Sequence, residues 1–424
     1  MIFRRTLSAV CAVALLASSA CGSLPFGGTQ PAASPSPSAQ AGGGFQRGQG
    51  GQGGQAGQGG QRRAAASAVP SPSPAVAATG LAALGATLSG EYAVTANLDD
   101  RSLSVIPIGQ ARAVANVPLD IAPSSSVAAM ATSDRVYVSD QASGSHTLAQ
   151  VSLSSASQTG RVDAGDTVDR IVSPPGAATG PLLVLTAGDN TLRSLDPSSS
   201  VLGNPLPLGA GPHAVGTDLN AQQGSPRQAY VTNAGDGTVS VVDTQATAIQ
   251  ATLDVGGRPV GADRTLDGLL WVADAASGTV QAYATPSMQP RGSIAVGPDL
   301  NSMTVTPDGH YLVLASSDAE HALYVLDLFK QQLGQTDQVV KSIAVDGGVL
   351  SVATGAEVTL AYATTGADKL VYVDLPGARV TRSVNVGHTP VALALGLNLP
   401  SSNAAVQTAV GGGTIGSGTS GGGS

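Results

Sequence analysis

One internal repeat constrains this chain more than any other feature. The segment Tyr230-Val-Thr-Asn-Ala-Gly-Asp-Gly-Thr-Val-Ser-Val-Val-Asp243 reads as an alternating strand, a tight polar turn and a second alternating strand, and a third strand ending in Val-Gly follows it. Recognisable copies occupy 183–196, 271–283, 313–327 and 360–374, and weaker ones open the region at 93–106 and 136–153. The aspartates that close the copies, Asp196, Asp243, Asp327 and Asp374, lie 47, 84 and 47 residues apart, which is one, two and one repeats. A period in the forties built from short strands is the blade period of a β-propeller.

A further strand follows each triplet, at Val127–Ala131, Val168–Ser173, His213–Thr217, Pro259–Asp263, Ser302–Thr306, Leu350–Ala353 and Pro390–Leu395. Seven triplets and seven inner strands specify an all-β fold, a seven-bladed propeller of four-stranded antiparallel blades. The count closes in one way: the inner strand near Val391 must pair with the N-terminal triplet that begins near Tyr92. Such closure removes the free edges that a linear array would expose.

The flanks are of a different kind. Residues 1–20 carry Arg4-Arg5, an apolar run from Leu7 to Ala17, and small residues ahead of Cys21, the pattern of an export signal too short for a membrane span. Ala-Cys-Gly at 20–22 resembles a bacterial lipobox, with Ser18 where an aliphatic residue is usual. Lipidation at Cys21 is the expectation, holding the protein at the outer face of the cytoplasmic membrane or in the cell envelope; simple secretion is the alternative. Residues 21–89 are rich in Gly, Gln, Pro and Ser and read as a disordered linker, as do 399–424 as a Gly/Ser-rich tail. A flexible linker of that length spans ~40–50 Å. The propeller is assigned to 90–398.

Charge and cysteine usage exclude several classes. The first 90 residues hold five arginines and no acid; taking these from the chain's 20 basic residues leaves 15 against 28 acidic ones, a net charge of −13. Such a surface repels phosphate backbones, so nucleic acid is not expected as a partner. The only cysteines are Cys11 and Cys21, which rules out thiol chemistry, disulfides and thiolate metal sites in the repeat region.

The residues resemble a known family. Tyr-Val-Thr-Asn at 230–233, Val-Ser-Val-Val-Asp at 239–243, Val-Gly-x-x-Pro at 255–259 and 386–390, and Thr-Pro-Asp-Gly at 306–309 are similar to the YVTN β-propeller repeat. That resemblance implies a bacterial surface or periplasmic protein, in a wider group that includes lactonase-like and redox-enzyme propellers.

Candidate ligand-binding residues gather on one face. The hairpins between the second and third strands of each blade bring Asp99 and Asp100, Asp140, Asp189, Asp236, Asp274, Asp318 with Glu320, and Asp368, a carboxylate ring suited to calcium or another divalent cation. The competing reading is turn chemistry, because Asp and Asn are what tight hairpins require, and the acids occupy two different repeat offsets. His213 and His388 lie on the connections between blades, in GAGPHAV and VGHTPVA, and share that rim. Asp196, Asp243, Asp327 and Asp374 recur in too many blades to be catalytic and are expected to hold turns. Trp271, at the position of Tyr137 and Tyr230, is expected to pack between blades.

No nucleophile elbow, phosphate loop or metal-spaced histidine pair occurs in context. The sequence therefore favours a monomeric binding or scaffolding propeller that meets protein or polysaccharide at the envelope, with no resident cofactor. A lactonase-like, metal-assisted hydrolase working at the channel mouth is the alternative, as is a structural surface or adhesion component. The longest break in the repeat, Phe329–Gln338, is the expected docking insertion for a specific partner.

Overall fold

The computed structural model describes residues 90–129, 135–141, 145–173, 181–218, 228–317, 323–332 and 340–398. The export signal, Cys21, the linker, the tail, Asp318 and Glu320 lie outside these residues.

Strand formation follows from the alternation of Val, Leu, Ala and Tyr with small polar residues, which suits a pleated surface packed on both sides. The described strands form seven antiparallel sheets. Blade four is the clearest: inner strand Pro212–Thr217, second strand Gln228–Asn233, third strand Thr238–Asp243 and outer strand Ala248–Asp254. The same order recurs at 123–163 (blade two), 168–207 (three), 259–295 (five), 300–343 (six) and 349–385 (seven). In blade three the outer strand is split into Val201–Leu202 and Leu206–Pro207.

Blade one is assembled from both ends of the domain, as the repeat count requires. Gly90–Asn97 pairs on one side with Ser102–Pro107 and on the other with Pro390–Asn398, in a register that sets Ala93 against Leu395 and Thr95 against Leu393. Gly90 faces Asn398, so the ring is entered and left on the same face, opposite the hairpin at 98–101.

The apolar core lies between blades. Seven buried clusters exist among the described residues, and each joins two neighbouring blades. The cluster that joins the last blade to the first contains Tyr362, Leu370, Tyr372 and Val384 from blade seven with Ala93, Ile106 and Leu393 from blade one. Closure is thus a packed interface as well as a strand pairing. Tyr137, Tyr230, Trp271 and Tyr362 occupy one repeat position and are all buried, filling the gaps that aliphatic side chains leave. Second strands are buried on both faces, whereas the outer strands of blades four and five are exposed along nearly their whole length.

The closing aspartates hold the outer turns as expected. Asp196 accepts from the Ser198 N–H and from the Ser198 and Ser199 hydroxyls, which keep its carboxyl at about 2, and Asp243 accepts from the N–H groups of Gln245 and Ala246. Where the repeat is interrupted, Asp327 caps a single helical turn, α1 (Leu328–Gln332), through the Lys330 N–H at 3.1 Å. The rest of that insertion, 333–339, lies outside the described residues. No described helix is long and apolar enough to cross a membrane.

Candidate functional site

The face bearing the hairpins and the blade-to-blade connections presents two concentric sets of side chains. The outer set is the carboxylate ring anticipated above. Its members do not converge: among the described residues no three acidic or histidine side chains come together as ligands for one metal ion. Each described member is instead bonded within its own neighbourhood.

Four of them accept a backbone N–H from the connection that precedes their blade's inner strand. Asp140 takes Ala122, Asp236 takes Ala210, Asp274 takes Arg258 and Asp100 takes His388, at 2.5–3.2 Å. Asp368 has a left-handed backbone (φ 58°) and reaches the following connection instead, accepting from Thr389 at 2.8 Å; Asn190 (φ 53°) does the same to Gly211 in blade three. Both repeat offsets, the strand end (Asp140, Asp274) and the turn (Asp100, Asp236), therefore reach the same connection. Asp189 differs, binding the hydroxyls of Thr186 and Thr191 and the Arg193 guanidinium.

The electrostatics follow from these contacts. Burial acts to raise the Asp274 carboxyl, but the Ser277 hydroxyl and the N–H groups of Arg258, Ala276 and Ser277 outweigh it and hold it below the usual range. His388, half-exposed, donates through Nδ1 to Asp100 at 2.8 Å, and that bond raises its pKa above the ordinary histidine value. His146 lies 3.8 Å from Asp166. His310 sits on the opposite face, stacked between Tyr311 and Phe329.

Apart from His213, the inner set was not anticipated from the residues. In six of the seven inner strands the pairing register slips by one at the second residue, leaving a bulge. The bulge residues are Asp169, His213, Val260, Asn301, Leu350 and Val391; blade two has a longer excursion, Ser124–Ser126, between Pro123 and Val127. A bulge re-aims a side chain and bends the strand, and here it recurs at the mouth of the central channel. The backbone geometry repeats while the chemistry does not. Blades two, three, four and six supply polar residues; blades five, seven and one supply apolar ones, and Leu350 is 44% exposed.

His213 reaches over the channel, whereas Val260 is buried in the core between blades five and six. The His213 Nε2 lies 3.2 Å from the backbone oxygen of Asn301, two blades away. A carbonyl can only accept, so Nε2 carries the hydrogen, and the Nδ1 of the neutral ring is an acceptor. Arg170, next to the bulge of blade three, directs its Nε to the His213 backbone oxygen at 3.4 Å and stands 3.8 Å from Asp169 Oδ2. That oxygen is buried and accepts no hydrogen bond from any described residue, a costly state for a carboxylate.

No family model and no curated protein match the chain. Solved structures do resemble it. One is a functionally unknown protein from Desulfotomaculum acetoxidans, at TM-score 0.55 and 14% identity, over 73% of this chain and 99% of that one. Another is hydrazine synthase from Kuenenia stuttgartiensis, at TM-score 0.54 and 14% identity, over 65% of this chain and 90% of that one. Likeness at this identity concerns the fold alone.

Proposed function

We propose that this protein is an extracytoplasmic binding or scaffolding propeller, held at the cell envelope by a lipid on Cys21 and presenting its channel mouth outward to protein or polysaccharide. The observation that carries the reading is the polarity of the ring. Both ends of the propeller, Gly90 and Asn398, leave from the face opposite the rim, so a tether attached there keeps the rim unobstructed. A rim whose loops are pinned by carboxylates is also pre-organised, which lowers the entropic cost of binding. The repeat-like character of the rim fits a platform, since these acidic side chains fasten loops.

The test is fractionation of cells making the full chain or its Cys21→Ser variant, followed by sedimentation of purified protein with isolated envelope material. The reading expects wild-type chain in the membrane fraction, the variant released, and purified chain pelleting with the envelope. Equal partitioning of both forms removes the anchor; failure to pellet removes the binding role.

A further inference from the structure

The chain contains three lysines, Lys330, Lys341 and Lys369, and two of them meet. Lys330 and Lys341 line one cavity of about 80 Å³ between blades six and seven, on the face opposite the rim. A single water needs only about 10–15 Å³ of such space, so there is room for a small solute. Lys341 arrives from the outer strand Val340–Ile343, where it is the register partner of Val325 and shares the side of blade six that packs on blade seven. Lys330 arrives on α1, where the repeat is broken. Both are partly exposed, so the cavity is reached from solvent.

Donors outnumber acceptors there. Each ammonium carries three N–H groups. Among the described residues Lys341 donates to the Pro376 carbonyl at 2.9 Å, and Lys330 Nζ stands 3.5 Å from Asp327 Oδ2. Asp327, the one carboxylate on the wall, is already committed: it also accepts from His310 Nε2 at 3.2 Å and from the Lys330 N–H at 3.1 Å. Asp308 and Asp374 do not line the cavity. The first accepts from the Thr306 hydroxyl and the His310 N–H, and the second pairs with Arg379. Two ammoniums against one carboxylate leave a single positive charge on the wall, in a region whose net charge is otherwise strongly negative.

We infer that this cavity binds a small monocarboxylate, whose oxygens accept from Lys330 and Lys341 and whose alkyl group lies against Pro376, over a floor of Val325 and Leu375. The inference goes beyond the envelope reading and depends on neither the lipid nor the rim. Charge and wall chemistry select the ligand class. One negative charge balances the lysine pair, whereas a phosphate dianion would bring excess charge against apolar side chains. Chloride would meet the ammoniums but leave the apolar floor uncovered. A carboxylate with a short hydrocarbon chain satisfies both halves of the wall.

The test is saturation-transfer NMR on the purified full chain with sodium propionate, with sodium phosphate and sodium chloride added in turn at equal concentration as competitors. Transfer to propionate is expected, and neither competitor should abolish it. Affinity should fall about tenfold or more in Lys330→Met and in Lys341→Met, each of which removes a charged donor. It should be unchanged in Lys369→Met, which removes the same charge from the rim, where Lys369 stands 3.4 Å from Asp346. Lys341→Met also cuts the tie to Pro376; should it fail to fold, Lys330→Met, on a partly exposed turn, decides alone. Absence of transfer, transfer indifferent to Lys330→Met, an equal loss in Lys369→Met, or displacement by equimolar phosphate or chloride overturns the inference.

Discussion

Two blade junctions solve the same problem by different means. Between blades four and five the chain is continuous, and the contact is made deep in the structure. Inner strands there approach so closely that a Cβ at Gly216 would lie 1.3 Å from the Ala262 carbonyl oxygen. The strands end in a parallel bridge between Asp218 and Arg264, whose side chains pair at 2.8 Å with Asp218 almost fully buried. Arg264 also donates to the Thr285 hydroxyl, which donates in turn to the Gly268 carbonyl. At the closure the chain also runs on from blade seven to the inner strand of blade one, but blade one itself is broken between its inner and second strands; it is joined by strand pairing, by the apolar cluster around Tyr362 and Leu393 that packs it on blade seven, and by surface acids that grip the connection. Asp100 and Asp368 accept from the N–H groups of His388 and Thr389, and Asp99 takes the Thr389 hydroxyl at 2.6 Å. A buried charge is worth keeping only where its partner is fixed, and both residues of this pair lie where inner strands of unbroken blades end. The closing junction relies on contacts that can form last and in water.

This contrast orders the expected effects. Arg264→Ala leaves the Asp218 carboxylate buried without its guanidinium and is expected to cost about 3–5 kcal/mol in urea unfolding; a change below about 1 kcal/mol would mean the pair is not the anchor of that junction. Gly216→Ala forces the inner strands of blades four and five apart and is expected to cost about 1–3 kcal/mol or more, with the loss read as a lower midpoint at unchanged slope. Asp274→Ala removes the acceptor for the Arg258 and Ala276 N–H groups and the Ser277 hydroxyl. Its cost should be about 2 kcal/mol, and a neutral result would show the rim acids to be dispensable for loop fastening.

The closing junction should give the smallest effect and the only one tied to histidine titration. The folded His388 pKa is raised by Asp100, so its contribution is fully present below the ordinary histidine value and is lost as pH rises through the raised one. Because both side chains are half-exposed, solvent screening limits the effect to about 0.3 kcal/mol or less. Comparing His388→Gln with wild type at about pH 5.5 and 8.5 should show the difference shrinking at the higher pH. A difference that grows with pH would reverse the assigned roles.

The fold was legible because its signal is repeated. Pro259 and Pro390 open inner strands where the Val-Gly-x-x-Pro pattern placed them, Pro212 opens its strand one residue before the expected His213, and the tally of triplets demanded that the strand around Val391 pair with the one that begins near Tyr92. The rim acids were legible as turn residues, and their scatter over two offsets, unexplained by a cage, follows once strand-end Asp140 and Asp274 and turn residues Asp100 and Asp236 are seen to reach the same connection. The bulge ring was hidden for the opposite reason. Asp169, His213, Val260, Asn301, Leu350 and Val391 share a backbone geometry and no chemistry, so letter comparison cannot align them. Their one trace is a slip in alternation just after the strand opens, as in Pro-His-Ala-Val at 212–215. Asp218 and Arg264 were missed because they lie 46 residues apart and outside every repeated motif.

The central claim is that the last strand completes the first blade, and the absence of cysteine after Cys21 makes it directly testable. Thr95 and Leu393 are register partners across the closure, within the Cα separation that a disulfide spans. A Thr95→Cys/Leu393→Cys chain, oxidised and digested, should yield one linked peptide pair by mass spectrometry, whereas Thr95→Cys/Leu397→Cys, offset by four residues, should not. Free thiols in the first variant, or a stronger link in the second, would contradict the closed seven-bladed ring.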